Sequence, residues 1–464
     1  MEKFTPRWYL PSFAFYQQNE RKDTMTMRRF LPIFSLFFSV LPTLAQEQPL
    51  VYRGATIYPI AGDPIENGVL VVQGGKIVAV GKDGSVQVPQ GATTIDAKGK
   101  VILPGLVDTH SHIGRGDGGD ASSTTHPSVR ILDAIDPRAT GFKKALAGGI
   151  TTVNVMPGSG HLMSGQTAYL KIRKDARSIE EMLFVSDPLK EIAGGLKMAN
   201  GTNPLRPAPF SQTRSKSASM IRVLYLKAQD YQAKMKAAGG DAEKLPKRDL
   251  EMETLVEVLE GKRIVQHHTH RADDILTVLR IAKEFGYKPV LHHVSEGWKV
   301  AKEIADAKAP CSIIVLDSPG GKLEAVELRF ETGKILEDAG VDVAFHTDDG
   351  ITDSRFFLRS AALGVRGGMS RKKALEALTL AGARMLGLEK RVGSLEVGKD
   401  ADFIVLSGDP FSTYTHVLET YVEGQKVFDR QNPDDYKFAV GGYDVYQPGE
   451  YQVECCGFML ENMR

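Results

Sequence analysis

The histidines of this sequence lie at the ends of apolar runs, where they could bind metal. Eight of the eleven histidines fall in four short segments. Two imidazoles two residues apart on a strand share one face, and with other imidazoles and a carboxylate they form a nitrogen and oxygen ligand set that suits zinc and similar divalent metals. The four segments contain His110 and His112; His267, His268 and His270; His292 and His293; and His346.

Repeated strand, loop and helix units must position these histidines. Four such units follow one another over residues 263–368, and GLVDTHSH, GITTVNVMP and GLKMANG fit the same scheme earlier in the chain. Such repetition predicts a parallel sheet of nearly eight strands over about 290 residues, the size of a (β/α)8 TIM barrel. A doubly wound sheet is the alternative, but no glycine-rich phosphate loop opens a first unit. In a barrel, the histidines at the strand ends would converge on one face.

Both ends of the mature chain carry a different, alternating pattern. LVYRGATIYPI, GVLVVQGGKIVAVG and ATTIDAKGKVI precede the barrel units, and GSLEVGKDADFIVLSG and VLETYVEGQKVFD follow them. Short β-branched runs between turn residues indicate antiparallel strands. Neither segment can bury a sheet face alone, so we expect them to pair into one composite β-sandwich.

Composition excludes several classes of protein. The 464 residues include 58 Lys and Arg against 57 Asp and Glu. The chain therefore lacks the excess of positive charge that is typical of nucleic-acid-binding proteins. With 42% hydrophobic and 25% charged residues, the chain has the composition of a folded protein. Three cysteines are too few for a disulfide framework, and the adjacent Cys455 and Cys456 either pair with another chain or are idle.

The strongest hydrophobic run suggests export. Met27 and two arginines precede FLPIFSLFFSVL, and small residues follow at Thr43 and Ala45. This pattern is typical of a signal peptide cleaved near Ala45, and the run is too short for a comfortable membrane span of roughly 20 residues. We expect a periplasmic or secreted protein with no stable membrane insertion. The signal pattern begins at Met27, which is an alternative start to Met1.

Four motifs together resemble the amidohydrolase superfamily of metal-dependent hydrolases, and in particular its exported imidazolonepropionase-like and prolidase-like branch. They are VILPGLVDTHSH, the strand-end histidines, HTDD and GSLEVGKDADFIVLSGDP, and the resemblance extends from Val51 to Asp429. It implies a (β/α)8 barrel with a composite β-sandwich from both chain ends. The expected boundaries are 1–45 for leader and signal peptide, 48–103 and 391–432 for the sandwich, 104–390 for the barrel and 433–464 for a tail.

The resemblance also implies a ligand set. His110 and His112 match the strand-1 metal ligands, and Asp348 matches the strand-8 aspartate that touches metal and moves protons. His268 matches the strand-5 ligand, with His270 as the alternative and otherwise a pocket residue. His293 matches the strand-6 ligand, with His292 as the alternative.

The role of Lys197 distinguishes a binuclear from a mononuclear metal centre. Binuclear members of the family bridge two ions with a strand-4 lysine carboxylated by carbon dioxide, and Lys197 in GLKMANG is the best-placed candidate. If Lys197 is not a ligand, the site resembles the mononuclear imidazolonepropionase type. Bound metal, expected to be Zn²⁺, would generate hydroxide at neutral pH, and Asp348 would accept its proton and return it to the departing nitrogen.

The expected reaction is hydrolysis of a C–N bond, amide or cyclic amide or amidine, in a small molecule. Substrate-binding candidates are His161, Gln166, Tyr169, His270 and Arg271, although Arg271 could instead pair with Asp273 or Asp274. The alternatives are a dipeptidase of the Xaa-Pro type, a deaminase, or a catalytically silent relative that binds a partner. A homo-oligomer is expected only by family analogy.

Overall fold

A computed structural model describes residues 48–116, 118–315 and 322–441, together with Val445. The expected leader, the cleavage point near Ala45 and the two adjacent cysteines lie outside the described residues. The strands are β1 (Leu50–Ile57), β2 (Ile65–Gln73), β3 (Lys76–Lys82), β4 (Thr93–Asp96), β5 (Val101–Pro104), β6 (Leu106–Ser111), β7 (Ile150–Val155), β8 (Met163–Gln166), β9 (Ala168–Lys171), β10 (Leu196–Ala199), β11 (Val265–Thr269), β12 (Pro289–His293), β13 (Cys311–Ile313), β14 (Val343–Phe345), β15 (Phe403–Leu406), β16 (Val417–Val422) and β17 (Gln425–Asp429).

Ten α-helices accompany these strands in the described part of the chain. They are α1 (Thr140–Ala147), α2 (Arg214–Ala238), α3 (Leu250–Leu259), α4 (Ala272–Phe285), α5 (Ala301–Asp306), α6 (Thr332–Asp338), α7 (Arg359–Arg366), α8 (Arg371–Ala377), α9 (Leu380–Met385) and α10 (Pro433–Val440). None of these helices has the length and apolar character needed to cross a membrane.

Helix α4 illustrates how the sequence defines these elements. Ile275, Val278 and Ile281 recur at spacing three, so they fall on one face, and all three are buried. The helix ends at Gly286, whose φ of 79° lies in the left-handed region that glycine adopts without a steric penalty.

One eight-stranded sheet combines both ends of the described chain. Its order is β17-β16-β15-β5-β1-β2-β3, and β4 pairs with β1. Strand β15 runs antiparallel to β5, with Phe403 opposite Pro104. The rings of Tyr52, Phe403 and Tyr421 pack together on this sheet, with centroids 4.4 to 5.5 Å apart. Strands from the two terminal segments therefore pair within this one sheet, as predicted.

The central part of the chain is mixed α/β, as predicted, and its strands form two further sheets. In the six-stranded sheet, β10 to β14 are parallel neighbours in sequence order, and β8 joins β10 antiparallel. In the three-stranded sheet, β6 and β7 are parallel and β9 is antiparallel to β7. All strands of the six-stranded sheet except β8 are buried along their whole length. This arrangement is typical of parallel sheets covered by helices.

A buried lysine connects β9 to the C-terminal segment. The Lys171 ammonium lies 2.5 Å from Asp400, 3.0 Å from Asp402 and 3.3 Å from Glu423. Burial alone would raise the pKa of Asp400, but Lys171, Lys76 and Arg391 together outweigh it and lower that pKa to about 2. The aspartates belong to the GKDAD motif, so this motif anchors the C-terminal strands to the central sheets.

Candidate metal centre

Two histidines and one aspartate form the first cluster of potential metal ligands. His110 lies on β6 and His112 just after it, and Asp348 follows β14. The His112 Nε2 atom is 3.1 Å from Asp348 Oδ1, and His110 Nε2 is 3.6 Å from the same oxygen. His112 Nδ1 donates to the backbone carbonyl of Met156 at 2.8 Å, so its Nε2 carries the lone pair that a metal needs.

Three histidines from the next two strands form a second cluster. Potential ligand atoms of His268, His270 and His293 lie within 4.8 Å of one another, and all three side chains are buried. The two alternatives for strand β11, His268 and His270, therefore lie in the same cluster. The Nε2 atoms of His268 and His293 are buried and have no hydrogen-bond partner among the described residues. An unpartnered buried ring nitrogen is costly, and a metal ion would satisfy it.

Local backbone geometry brings His293 into that cluster. His293 has a φ of 70° and Val294 a φ of 50°, both in the left-handed region that residues other than glycine rarely adopt. The side chain of the preceding residue, His292, lies instead in a third cluster with His110 and His346. The two alternatives for strand β12 thus lie in different clusters, His293 in the second and His292 in the third.

The third cluster is held by side chains that sequence reasoning did not identify. His292 Nε2 donates to Gln266 Oε1 at 2.7 Å, and His346 Nδ1 lies 2.7 Å from the Ser312 hydroxyl. Gln266 precedes the strand β11 histidines by one or two residues, and its inward position could have been inferred from strand alternation. Nothing in the sequence around Ser312 indicated that its side chain would contact His346.

Lys197 lies at the junction of the clusters. Its side chain on β10 is fully buried, and its Nζ atom is 3.1 Å from His110 Nε2 and 3.0 Å from Met156 Sδ. An ammonium has no lone pair and cannot be a ligand in that form. The lysine nevertheless lies beside a potential ligand of the first cluster, His110.

The electrostatics leave the site's ligand atoms deprotonated. Burial, followed by the nearby Lys197 charge, lowers the pKa of His110 well below its usual value. Burial likewise lowers the pKa of His268 and of His293. Burial would raise the pKa of Asp348, but its contact with His112 and the surrounding cationic groups outweigh this effect and lower it. Neutral imidazoles and an ionised carboxylate are the forms that bind a divalent metal, so these residues fit such an ion.

Comparison with known proteins identifies the family of the chain. The amidohydrolase family model matches residues 236–433. A solved amidohydrolase from Thermotoga maritima MSB8 is 36% identical, has a TM-score of 0.75, and is matched over 82% of this chain and 100% of that one. The chain belongs to the amidohydrolase superfamily. It is an enzyme, a hydrolase of C–N bonds in small molecules.

Two curated relatives of this amidohydrolase are more distant. Amidohydrolase tasK of Hapsidospora irregularis is 26% identical over 430 residues, which cover 82% of this chain and 43% of the relative. The chain therefore spans less than half the length of that protein. Imidazolonepropionase of Rhizobium rhizogenes is 26% identical over 404 residues, covering 76% of this chain and 90% of the relative.

Two of the residues predicted to bind substrate, His161 and His270, lie near the candidate metal ligands. His161 is buried, its ring centroid is 5.4 Å from that of Phe210, and its loop approaches the ligands through a 2.9 Å contact between Ser159 Oγ and His268 Nδ1. His270 is within the second cluster, where its Nδ1 lies 2.8 Å from the Ser295 hydroxyl.

The other three predicted substrate residues make contacts within the protein. Tyr169 is buried, and its hydroxyl accepts a hydrogen bond from Gln266 at 3.1 Å. Gln166 donates to the Thr254 hydroxyl at 3.0 Å. Arg271 forms the predicted alternative, a two-point ion pair with Asp273 at 2.9 and 3.0 Å. All five residues remain predictions as substrate-binding residues.

One cation beside the second cluster was not predicted from the sequence. The Lys322 ammonium lies 3.3 Å from His270 Nε2 and 3.1 Å from Asn203 Oδ1. Lysines on predicted loops are ordinarily solvated, so nothing in the sequence singled it out. Its position gives the metal centre a positive charge on the side of His270.

Proposed function

We propose that this amidohydrolase uses one or two divalent metal ions, most suitably Zn²⁺, held by the histidine clusters. The supporting observation is that two ligand groups meet at one carboxylate. Asp348 Oδ1 faces His112, and Asp348 Oδ2 lies 4.0 Å from His293 Nδ1 in the second cluster. The ligand residues are His110, His112 and Asp348 for one ion, and His268 and His293 for the other, with His270 as the alternative on β11.

In this proposal a carboxylated Lys197 would supply further oxygen ligands to a binuclear centre. Its neutral amine adds to carbon dioxide, the new N–C bond forms, and one proton is lost to solvent, which leaves a carbamate with an anionic pair of oxygens. Without this modification the centre would be mononuclear.

The chemistry that the metal supplies is the activation of water and the polarisation of the scissile carbonyl or amidine carbon. The protein's own residues then move the proton. Asp348, ionised at neutral pH, accepts the proton of the attacking water at a carboxylate oxygen and delivers it to the departing nitrogen. His346 stays neutral, because burial lowers its pKa to about 3, and it lies 3.2 Å from His293 Nδ1.

The proposed architecture is a (β/α)8 barrel made of the two central sheets, with a sandwich formed by the chain ends. Support comes from a backbone hydrogen bond between the two central sheets, in which the N–H of Asp348 donates to the carbonyl of His110 at 2.9 Å. An experimental structure with a continuous ring of strands from β6 to β14 would establish the barrel, and the domain boundaries predicted from the sequence with it.

The charges near the centre favour a substrate that carries a carboxylate. Lys322 lies beside His270, and Arg206 lies against the loop of His161, with its guanidinium 3.8 Å from the Phe210 ring centroid. Carboxylate-bearing cyclic amides, N-acyl amino acids and dipeptides ending in proline all meet this requirement. A panel of these three classes, followed by the release of a free amine or carboxylate, tests the proposal, and release of ammonia alone would indicate deamination.

Metal content is the measurement that tests the centre itself. Protein expressed from Gln46 is loaded with Zn²⁺ and analysed by elemental mass spectrometry, beside Lys197→Ala and the surface control Lys190→Ala. We expect two equivalents in the wild type and the control, and one or none in Lys197→Ala. One equivalent in all three proteins would contradict the bridged centre, and no metal after reconstitution would remove the catalytic proposal.

Export is a separate proposal that rests on the hydrophobic run near the start of the sequence. The full chain would be cleaved near Ala45 and found in the periplasm or the medium. N-terminal sequencing of the protein recovered from each fraction tests this. An uncleaved chain confined to the cytoplasm would contradict it.

A further inference from the structure

The outer face of strand β11 carries a histidine that the metal centre does not use. His268 points to the metal cluster, and its neighbour His267 points to the opposite side of the strand, as strand alternation requires. His267 is 5% exposed, and neither of its ring nitrogens has a hydrogen-bond partner among the described residues. A buried imidazole with both nitrogens unpartnered is rare and calls for an explanation.

A cavity of about 540 Å³ lies next to this ring. Helices α2 and α4 and the segment after β10 enclose it, and its volume is within the range of small-molecule sites in proteins. Its apolar wall consists of Leu162, Ala218, Ile221, Leu276 and Ile281. The cavity is therefore shaped by two helices outside the central sheets and lies across β11 from the metal ligands.

The floor of the cavity can both donate and accept hydrogen bonds. His267 lines the cavity, and because neither of its buried ring nitrogens has a partner among the described residues, the ring can hydrogen-bond to a ligand. Asn200 also lines the cavity, and its Nδ2 donates to the Asp274 carbonyl at 2.9 Å. Its Oδ1 atom is buried without a partner among the described residues. Two side chains thus present unused hydrogen-bonding atoms.

The mouth of the cavity carries arginines. Arg214 and Arg222 are engaged with Asp274 and Glu284, respectively. Arg280 donates to the Thr277 hydroxyl at 2.9 Å, and in the part of the chain that the structure describes no carboxylate lies within ion-pair distance of it. Asp273 and Asp274 also line the cavity, and they are paired with Arg271 and Arg214, respectively. The guanidinium of Arg280 is therefore available to an anionic group of a ligand.

We propose that this cavity is a second ligand site, which takes a small organic acid with an apolar body and a hydrogen-bonding group at its far end. The carboxylate lies at Arg280, the body contacts the apolar wall, and the far polar group bonds to His267 and Asn200. Because His267 adjoins His268, the ligand contacts the strand that presents a metal ligand. This site is independent of the substrate that the metal centre takes.

Two aromatic acids that differ by one hydroxyl serve as probes. 4-Hydroxyphenylacetate carries both polar ends, and phenylacetate lacks the far one. Binding of each to the metal-loaded protein is measured by calorimetry for the wild type, His267→Leu and Arg280→Ala. Arg371→Ala, which removes an exposed arginine remote in sequence from the cavity, is the matched control. Thermal unfolding shows that each variant is folded.

The expected result is a preference of about tenfold for 4-hydroxyphenylacetate in the wild type and in Arg371→Ala, the size of one hydrogen bond. His267→Leu should reduce this preference, because only Asn200 remains to bond to the hydroxyl, and Arg280→Ala should weaken the binding of both acids. In ¹⁵N-histidine spectra, 4-hydroxyphenylacetate should shift the His267 ring signals of the wild type. Equal affinity for the two acids, affinities unaffected by Arg280→Ala, or no saturable binding up to about 10 mM would overturn the proposal.

Discussion

Asp108 and Thr347 join the first central strand to the segment that carries the candidate proton acceptor. The Asp108 carboxylate accepts hydrogen bonds from the Thr347 backbone N–H at 3.0 Å and from its hydroxyl at 2.5 Å. It also accepts from the His110 backbone N–H at 3.2 Å. One buried carboxylate therefore fixes the position of a ligand on β6 and of Asp348, which directly follows Thr347.

Replacing this carboxylate should weaken metal binding without unfolding the protein. In Asp108→Asn the amide oxygen can still accept from the backbone, but the second acceptor is lost. Partners that orient metal ligands typically contribute 10- to 100-fold to metal affinity, so we expect a loss of about that size. A chelator competition titration with Zn²⁺ measures it. Asp342→Asn, which removes a carboxylate paired with Arg384 before β14, is the control, and equal losses in the two variants would contradict the orienting role.

Asp348→Asn should separate metal binding from turnover. The amide oxygen remains a potential ligand, so most of the metal should be retained, while the group can no longer accept the proton of water. General acid–base catalysis contributes about 10²- to 10⁴-fold, and we expect kcat to fall by about this factor. Metal content and turnover on the best substrate of the panel are measured on the same preparation. Turnover like that of the wild type would eliminate Asp348 as the proton acceptor.

The sequence predicted which candidate ligands lie close together better than it predicted their surroundings. His110, His112, His268, His293 and Asp348 lie together because alternation along a strand and the convergence of parallel strand ends are local rules that can be read from residue spacing. The left-handed backbone at His293 is a tertiary effect. It places the side chains of His292 and His293 in different clusters. Strand alternation alone therefore cannot predict which cluster each histidine joins.

Contacts between distant parts of the chain could not be predicted in the same way. Lys322 approaches His270, and Ser312 approaches His346, through the packing of loops and strands whose relative position no short motif encodes. Arg271 shows the opposite case. Its partner Asp273 is two residues away, and this local ion pair was one of the alternatives drawn from the sequence.

The metal-free protein should lose stability on acidification. Burial lowers the pKa of His346 and of His267 to about 3 in the folded state, against about 6.5 in an unfolded chain. Unfolding therefore takes up protons below pH 6.5, and each such ring reduces the free energy of unfolding by about 1.4 kcal/mol per pH unit between those values. Above pH 7 these rings contribute no pH dependence.

Denaturant unfolding of chelator-treated protein at pH 8, 7, 6 and 5 measures this dependence. We expect little change between pH 8 and 7 and a progressive decrease below. His267→Leu removes one titrating ring outside the metal clusters. The free energy of unfolding of this variant should therefore decrease less steeply with falling pH, by the contribution of one titrating group. A free energy of unfolding that is constant down to pH 5 would show that these rings are not buried in the neutral form.

The buried Lys171 cluster should be essential for stability, while a neighbouring lysine should not. Lys171→Met leaves Asp402 and Asp400 without their buried cation, and breaking a buried ion pair on one side costs about 3–5 kcal/mol. Lys76 also lies 2.5 Å from Asp400, but half of its side chain is exposed, so Lys76→Met should cost about 1 kcal/mol or less. Both variants remove one contact to the same carboxylate and differ mainly in burial.

Equilibrium unfolding in urea at pH 7 compares the two variants with the wild type. Because Lys171 joins β9 to the GKDAD segment, its loss should also expose the junction between the central and terminal strands to proteolysis. A double variant, Lys171→Met with Asp402→Asn, removes a buried charge that the single change leaves uncompensated and should recover part of the lost stability. If Lys171→Met and Lys76→Met each lowered the free energy of unfolding by the same small amount, the cluster would contribute specificity of packing rather than stability.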